Sequence, residues 1–327
     1  MLKRLFLYLI PVWMFLSGCI HEDTDDCMQG VRLHFSHLLN NQNINLFGER
    51  VKAVYVFVFD NNGKYVDTFI SKETKLTNDY VMNLPLKPGN YQVIILGGDM
   101  STYLFGEMKD SQNNDFSTSM KKGETDIEKF CFLIQGEENK QDEVTVNNNL
   151  SHLFHGSLNN IIVSGGKYTD ATVDLIKDTK KINVNIIGYQ YLDSYKTKTD
   201  YSTEVDIHIN GKNGRYKKDN TIDPYAQNLK YLFGNYSLTN DTLKSTSTVM
   251  RLMIQDDPSQ LRVLIPDNQY VLYDKNMIQQ ILLNPRYKNQ SDLDREDEFT
   301  FEIKISPQLN ISVKINGWDI IEITPDK

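Results

Sequence analysis

Positive charge is in short supply: 35 Lys and Arg stand against 43 Asp and Glu in 327 residues, a net charge of −8. Such a chain repels phosphate backbones, which argues against nucleic acid as a partner. Familiar catalytic signatures are missing as well. There is no Gly-x-Ser-x-Gly elbow, no phosphate-cradling glycine loop and no His-Glu-x-x-His helix, the patterns that carry nucleophilic, nucleotide and zinc-hydrolase chemistry. No short-period repeat is visible. The apolar run Leu5 to Leu16 is shorter than the roughly 20 residues needed to span a bilayer. These absences point away from an enzyme and call for no cofactor, no metal and no small-molecule substrate.

What is present begins with that short run. Lys3 and Arg4 precede it, and Leu16-Ser17-Gly18-Cys19 follows. A positive start, an apolar middle and small residues before a cleavage point make a secretory signal, here with a cysteine at the cut. Residues 1–18 therefore read as a lipoprotein signal peptide, and Cys19 as the lipidated residue. Acyl chains on its thiol and new amino group, at about 0.8 kcal/mol per buried CH₂, would hold the chain to a membrane. Removing residues 1–18, which carry Lys3 and Arg4, shortens the chain from 327 to 309 and takes its net charge from −8 to −10. Residues 19–30 form an acidic leader, including His21-Glu22-Asp23-Thr24-Asp25-Asp26.

With Cys19 acylated, Cys27 and Cys131 remain for an oxidising compartment. A disulfide closing that long loop would contribute about 4 to 5 kcal/mol in the chain-entropy model. Two buried free thiols are the alternative.

From Val31 the pattern is β. Val31, Leu33 and Phe35 alternate with Arg32, His34 and Ser36, as in a half-buried strand. Val51 to Phe59 is apolar on both faces, which suits a central strand covered on both sides. Asp60-Asn61-Asn62-Gly63 then reads as a hairpin turn. Leu86-Lys87-Pro88-Gly89-Asn90-Tyr91-Gln92-Val93 predicts a tight turn, with Gly89 supplying a positive φ, leading into another strand. Its Leu-x-Pro-Gly-x-Tyr-x-Val pattern is similar to that of transthyretin-like β-sandwich modules. Ser101 to Lys122 reads as a long loop. Strands are expected at 129–134, 144–146, 161–163 and 172–176. A boundary is placed at the charged crossing Asp178-Thr179-Lys180-Lys181.

Beyond it, Ile182, Val184 and Ile186 alternate, as do Val205, Ile207 and Ile209. Further strands are expected at 249–254, 261–265, 299–305, 311–315 and 320–323. One short helix fits 276–283, capped by Asp274 or Asn276 and ended by Pro285. The fold class is all-β: two tandem β-sandwiches, residues 31–178 and 179–327, with one helix in the second.

The remaining polar residues carry little chemistry. His34-x-x-His37 and His152-x-x-His155 lack a completing cysteine or carboxylate and read as satisfied histidines. Asp292 to Glu298 reads as a solvated loop. Eighteen tyrosines and fifteen phenylalanines read mainly as core and cross-strand partners, with a sugar-stacking platform as the alternative.

Several stretches taken together resemble one family. They are Leu16 to Asp23 with Asp26-Cys27, Phe47-Gly48-Glu49-Arg50-Val51 leading into Tyr55 to Asp60, and the Pro88-Gly89-x-Tyr91 turn. Val173-x-Leu175-Ile176-Lys177-x-Thr179-x-Lys181-Ile182 and Ile315-Asn316-Gly317-Trp318 complete the set. In order and spacing they resemble the FimB-type fimbrial anchoring subunits of Bacteroidales, and the acidic leader resembles the surface-export signals of lipoproteins from that order. The resemblance implies transthyretin-like sandwiches, lipid attachment to the outer membrane, and a place at the base of a fimbrium, where the anchor holds the fibre and limits its length. It implies a pilin subunit as partner, bound by β-strand complementation. It also implies a question at Arg50, because stalk subunits of related pilins are cleaved after an arginine. Cleavage there would make the chain a stalk or tip subunit; an ordinary arginine at the mouth of a strand leaves it an anchor. A lipid-tethered surface protein that binds glycans is the alternative from another class.

Overall fold

The structure is a computed structural model. It describes residues 29–320 apart from 73–74, 136, 139–142, 148–149, 196–204, 256 and 267–269. Numbered along the chain, the first strands are β1 (Gly30–Ser36), β2 (Val54–Asp60), β3 (Tyr65–Ser71), β4 (Val81–Leu84), β5 (Gly89–Gly98), β6 (Tyr103–Asp110) and β7 (Asp115–Ser117). Then come β8 (Phe130–Ile134), β9 (Glu137–Glu138), β10 (Glu143–Val146), β11 (Leu153–Val163), β12 (Tyr168–Asp174) and β13 (Ile176–Lys177). The later strands are β14 (Thr179–Ile187), β15 (Asp206–Gly211), β16 (Arg215–Lys217), β17 (Asn228–Leu232), β18 (Gly234–Thr239) and β19 (Thr242–Met250). Last are β20 (Gln260–Ile265), β21 (Tyr270–Asn276), β22 (Glu298–Ile305), β23 (Ile311–Ile315) and β24 (Trp318–Ile320). Three short helices interrupt them: α1 (Phe47–Arg50), α2 (Met277–Leu282) and α3 (Gln290–Arg295).

Mainly β structure follows from the alternation in the sequence. Sheet β13-β11-β5-β2-β3 faces sheet β12-β1-β4, with Val31, Leu33, Phe35, Val54, Val56, Val58 and Leu84 buried between them. The other face of β2 carries Tyr55, Phe57 and Phe59 into a second core. There Phe57 meets Phe130 at 4.9 Å and Phe105 at 5.0 Å. β2 is thus covered on both sides, as its unbroken apolar run requires.

The covering layer is sheet β16-β8-β6-β7. The following sandwich pairs β21-β20-β15-β17-β10-β9 with β18-β19-β14-β22-β23-β24. Its core, with Ile182, Val184, Ile186, Ile207, Ile209, Phe299, Phe301 and Ile303, is continuous with the second face of β2. Strands from before residue 178 enter these later layers: β8 pairs with β16, and β10 pairs in parallel with β17.

Several local expectations need correction. The 101–122 stretch is a hairpin of β6 and β7. Its signal was weak because Gly106 adds no side chain to the alternation: a Cβ there would stand 2.1 Å from the Ser117 carbonyl oxygen. Gly89 does not adopt a positive φ; it opens β5, and the Tyr91 hydroxyl donates to the Lys87 carbonyl at 3.0 Å to close the corner. In the turn after β2 only Gly63 is left-handed, at φ 72°, because the Asp60 carboxylate accepts from the Asn62 and Lys64 amides and sets the bend. β11 starts at Leu153, well before the strand expected at 161–163, and carries His155. Strand β19 ends at Met250 rather than 254.

Among the described residues the second half holds two helices where one was expected. α2 falls where expected, capped by the Asn276 side chain on the Gln279 amide. α3 replaces part of the expected solvated loop: Asn289 and Asp292 form a reciprocal capping box, with Leu293 and Asp294 buried. The Asn316-Gly317 corner has both residues left-handed, at φ 49° and 78°, the geometry of a type I′ hairpin turn.

Candidate functional site

β1 sits in the middle of its sheet, parallel to β12 and antiparallel to β4. Val31 and Leu33 are fully buried, and Phe35 nearly so. At about 1.5 to 3 kcal/mol per buried side chain, these three contribute roughly 5 to 9 kcal/mol as an upper estimate. A strand held by two ladders and an apolar row could leave only by opening a slot of its own length. Gly30 begins it at φ 135°, where a Cβ would stand 2.0 Å from the Leu84 carbonyl oxygen; no residue with a side chain fits there. From β1 the chain turns through a loop closed by the Asn40 amide on the His37 and Ile44 carbonyls. The Asn45 side-chain oxygen accepts from the His37 and Phe47 amides. The loop delivers α1 and, at its end, Arg50.

Arg50 reaches into a charged junction where early and late parts of the chain meet. Its Nη1 lies 2.8 Å from Asp297, and Lys177 Nζ lies 3.1 Å from the same carboxylate. Burial works to raise the Asp297 pKa, but Lys177 and Arg50 outweigh it and the group lies below the ordinary aspartate value. Asn41 donates to Glu296 at 2.7 Å, and Arg295 donates to Asn43 at 2.6 Å.

Deeper in, Arg251 grips Asp294 with Nε and Nη2 at 2.7 and 2.6 Å, a bidentate pair. Lys180 is fully buried, and its Nζ donates to the Asp294 and Glu296 carbonyls at 2.7 and 2.6 Å. Its pKa is lowered to about 8, because burial disfavours the cation more than neighbouring Asp294 supports it. Asp178 accepts from the Asn220 amide at 2.8 Å. Its second oxygen has no hydrogen-bond partner among the described residues, and burial pushes its pKa up to about 7.

The histidines scatter. His155 is fully buried, bonds the Lys218 carbonyl at 3.0 Å and stacks on Phe132; burial lowers its pKa to about 4. His37 bonds the Leu175 carbonyl, His208 pairs with Asp206 and His34 with Asp170. His21 lies outside the described residues. Among the described residues no three His, Cys, Asp or Glu side chains converge as metal ligands.

Two clefts mark the later sandwich. A cavity of about 840 Å³ is lined by Ile222, Met253, Ile278 and Leu282 together with Lys212, Lys217 and Asp219, and no aromatic ring lines it among the described residues. Tyr189, Tyr216 and Tyr231 are instead core residues, the role expected for most of the aromatics. A groove of about 530 Å³ runs between β21 and β23, lined by Val271, Leu272, Ile311, Val313 and Ile320 and also by the polar Asp274, Lys275, Gln280 and Ser312. Both bordering strands stand at or near the ends of their sheets among the described residues, and Val271 and Ile311 are exposed.

Of the sequence-derived site residues, Cys19 and Cys27 lie outside the described residues. Cys131 is buried in β8 and bonds no cysteine among the described residues; burial pushes its thiol up to about 12. Arg50 falls at the junction. The junction residues were not read as a site from the sequence: Asp178 and Lys180 fell in the charged crossing, Asp294 and Asp297 in the expected solvated loop, and Arg251 in an expected strand. A signal existed in Asn289-x-x-Asp292 ahead of Leu293, a capping pattern that marks a helix rather than a loop.

Stacked β-sheets of this arrangement are those of known fimbrial anchor and adhesin-like surface proteins. The fimbrial anchor protein Mfa2 of Porphyromonas gingivalis superposes with a TM-score of 0.67 at 17% identity, over 89% of this chain and 98% of that one. A candidate adhesin of Bacteroides thetaiotaomicron gives 0.71 at 23% identity, over 90% and 98%. A candidate polysaccharide-binding protein of the same organism gives 0.72 at 22% identity, over 89% and 98%. Residues 24–324 match the family model of the fimbrillin-A associated anchor proteins Mfa1 and Mfa2, and the chain belongs to that family. No curated protein matches it. Membership places the chain among proteins that associate with fimbriae at the cell surface, a family of structural proteins rather than enzymes.

Proposed function

We propose that this chain is an outer-membrane lipoprotein, attached through Cys19, that holds the base of a fimbrium to the cell and limits its length. In this reading it is organised as two domains, 31–178 and 179–327, and binds a pilin subunit by β-strand complementation. The observation that carries it is β1. A chain that still owns its first strand has its own slot filled, so it can end a polymer rather than continue it. Family membership supports the same role. For the pilin strand, the groove between β21 and β23 is the surface that suits an added strand best, since strands border it and apolar side chains wall it.

The glycan-binding alternative draws on the polysaccharide-binding neighbour, but among the described residues the large cavity offers no ring for a sugar to stack on. The test is Cys19→Ala in the native host, comparing fimbriae on cells with fimbriae in the medium. Shed fibres of altered length are expected; fibres still held on the cell would overturn the anchoring role.

A further inference from the structure

The bond after Arg50 divides the chain at a consequential place. Upstream stand β1 and its loop; downstream stand all other strands. Hydrolysis would leave Arg50 as a carboxylate and Val51 as a new amino terminus, with one water consumed, and β1 would then be held by its ladders and side chains alone.

An arginine-specific peptidase needs two things at such a bond. It needs the guanidinium free to enter a pocket whose floor is a carboxylate, as trypsin-like enzymes provide, and it needs the flanking backbone extended. Neither condition is met here. The guanidinium already has a carboxylate: Nη1 of Arg50 lies 2.8 Å from both oxygens of Asp297, and the side chain is only 19% exposed. The backbone leading into the bond is closed into the turn of α1 and becomes extended only at Val51, with the Arg50 amide donating to Leu46 and the Val51 amide donating to Phe47. Val51 and Ala53, which would follow into the peptidase cleft, are buried. Asp297 comes from the segment between α3 and β22, more than 240 residues along the chain. Lys177 holds its carboxylate from the other side.

We propose that Asp297 masks the Arg50–Val51 bond as a proteolytic site, so that folding of the late part of the chain keeps β1 attached. An arginine-specific peptidase then cuts there only when the mask is removed. This device stands apart from the anchoring role: the shedding of fibres by Cys19→Ala tests the anchor and leaves the mask untouched.

The experiment is limited digestion of the purified full chain with an arginine-specific peptidase, following the fragment that begins at Val51 by mass. Native folding of each variant is checked by circular dichroism. The wild type is expected to yield no such fragment while Asp297→Ala is half cut, at least a tenfold difference in rate. Asp297→Asn removes the charge at constant shape and is expected to be cut as well, which covers the case where the alanine variant fails to fold. Lys177→Met keeps the Arg50 pair and is expected to resist like the wild type. A wild type cut after Arg50, or Asp297 variants no faster than it, would overturn the proposal. So would Lys177→Met opening as readily as Asp297→Ala, because general loosening of the junction would then be the cause.

Discussion

Replacing Asp294 by alanine would strand the Arg251 guanidinium inside the junction. The pair is bidentate at 2.7 and 2.6 Å, and its side chains are only 8% and 3% exposed. The cation would keep one partner, the Asn220 carbonyl at 3.0 Å. Removing one member of a buried pair costs about 3 to 5 kcal/mol, because the other charge stays desolvated. Asp178 can offset part of this by ionising beside Arg251, which favours the lower end. The assay is urea unfolding, reading the midpoint at unchanged slope. The companion is Arg251→Met with Asp294→Leu. Apolar replacement of both partners removes the burial penalty as well as the attraction, so the double variant is expected to lie within about 2 kcal/mol of the wild type. An Asp294→Ala loss below about 1 kcal/mol, or a double variant as weak as the single, would refute the reasoning.

Two further outcomes follow from the same geometry. Folding raises the Asp178 pKa from the ordinary aspartate value to about 7, so its contribution favours the fold most below about pH 4 and is lost as pH rises through about 7, roughly 4 kcal/mol in all. Asp178→Asn should flatten that slope in urea midpoints taken between pH 4 and 7, and an unchanged slope would show that Asp178 does not titrate there. In the groove between β21 and β23, Ile311→Lys places a charge on an apolar wall. It should weaken capture of the purified pilin at least tenfold without moving the urea midpoint; undiminished capture would place the pilin strand elsewhere.

Much of the frame was legible because it depends on local pattern. The alternation of Val31, Leu33 and Phe35 buries three side chains on one face of β1, as period-two reading requires. The two-sided run of β2 demanded layers on both sides and has them. Asn276 caps α2, and Asn316-Gly317 turns the last described hairpin. What escaped was set by distance. Asp292 to Glu298 looks like a solvated loop because charge alone carries no address. Its burial depends on Lys180 and Arg251, which arrive from segments over 40 residues away in sequence. The β6–β7 hairpin escaped because Gly106 and polar residues interrupt its alternation, and distant partners hold it in place: Tyr55 and Phe57, the β8 ladder, and Arg215 at the Ser111 carbonyl and Asn114 side chain.

The sequence by itself determined that the chain is β-rich and acidic and resembles fimbrial anchors, and it carries the pattern from which an export signal ending at a cysteine is expected. All of these reside in composition, short periods and ordered motifs. Only the tertiary structure decided that strands from before residue 178 pair with later ones, that β1 fills a central slot, and that Arg50 is held by Asp297. Those facts depend on which distant segments share a ladder or a buried charge. Pairing over such separations is selected by the burial and compensation of whole layers, and no local run of residues encodes it.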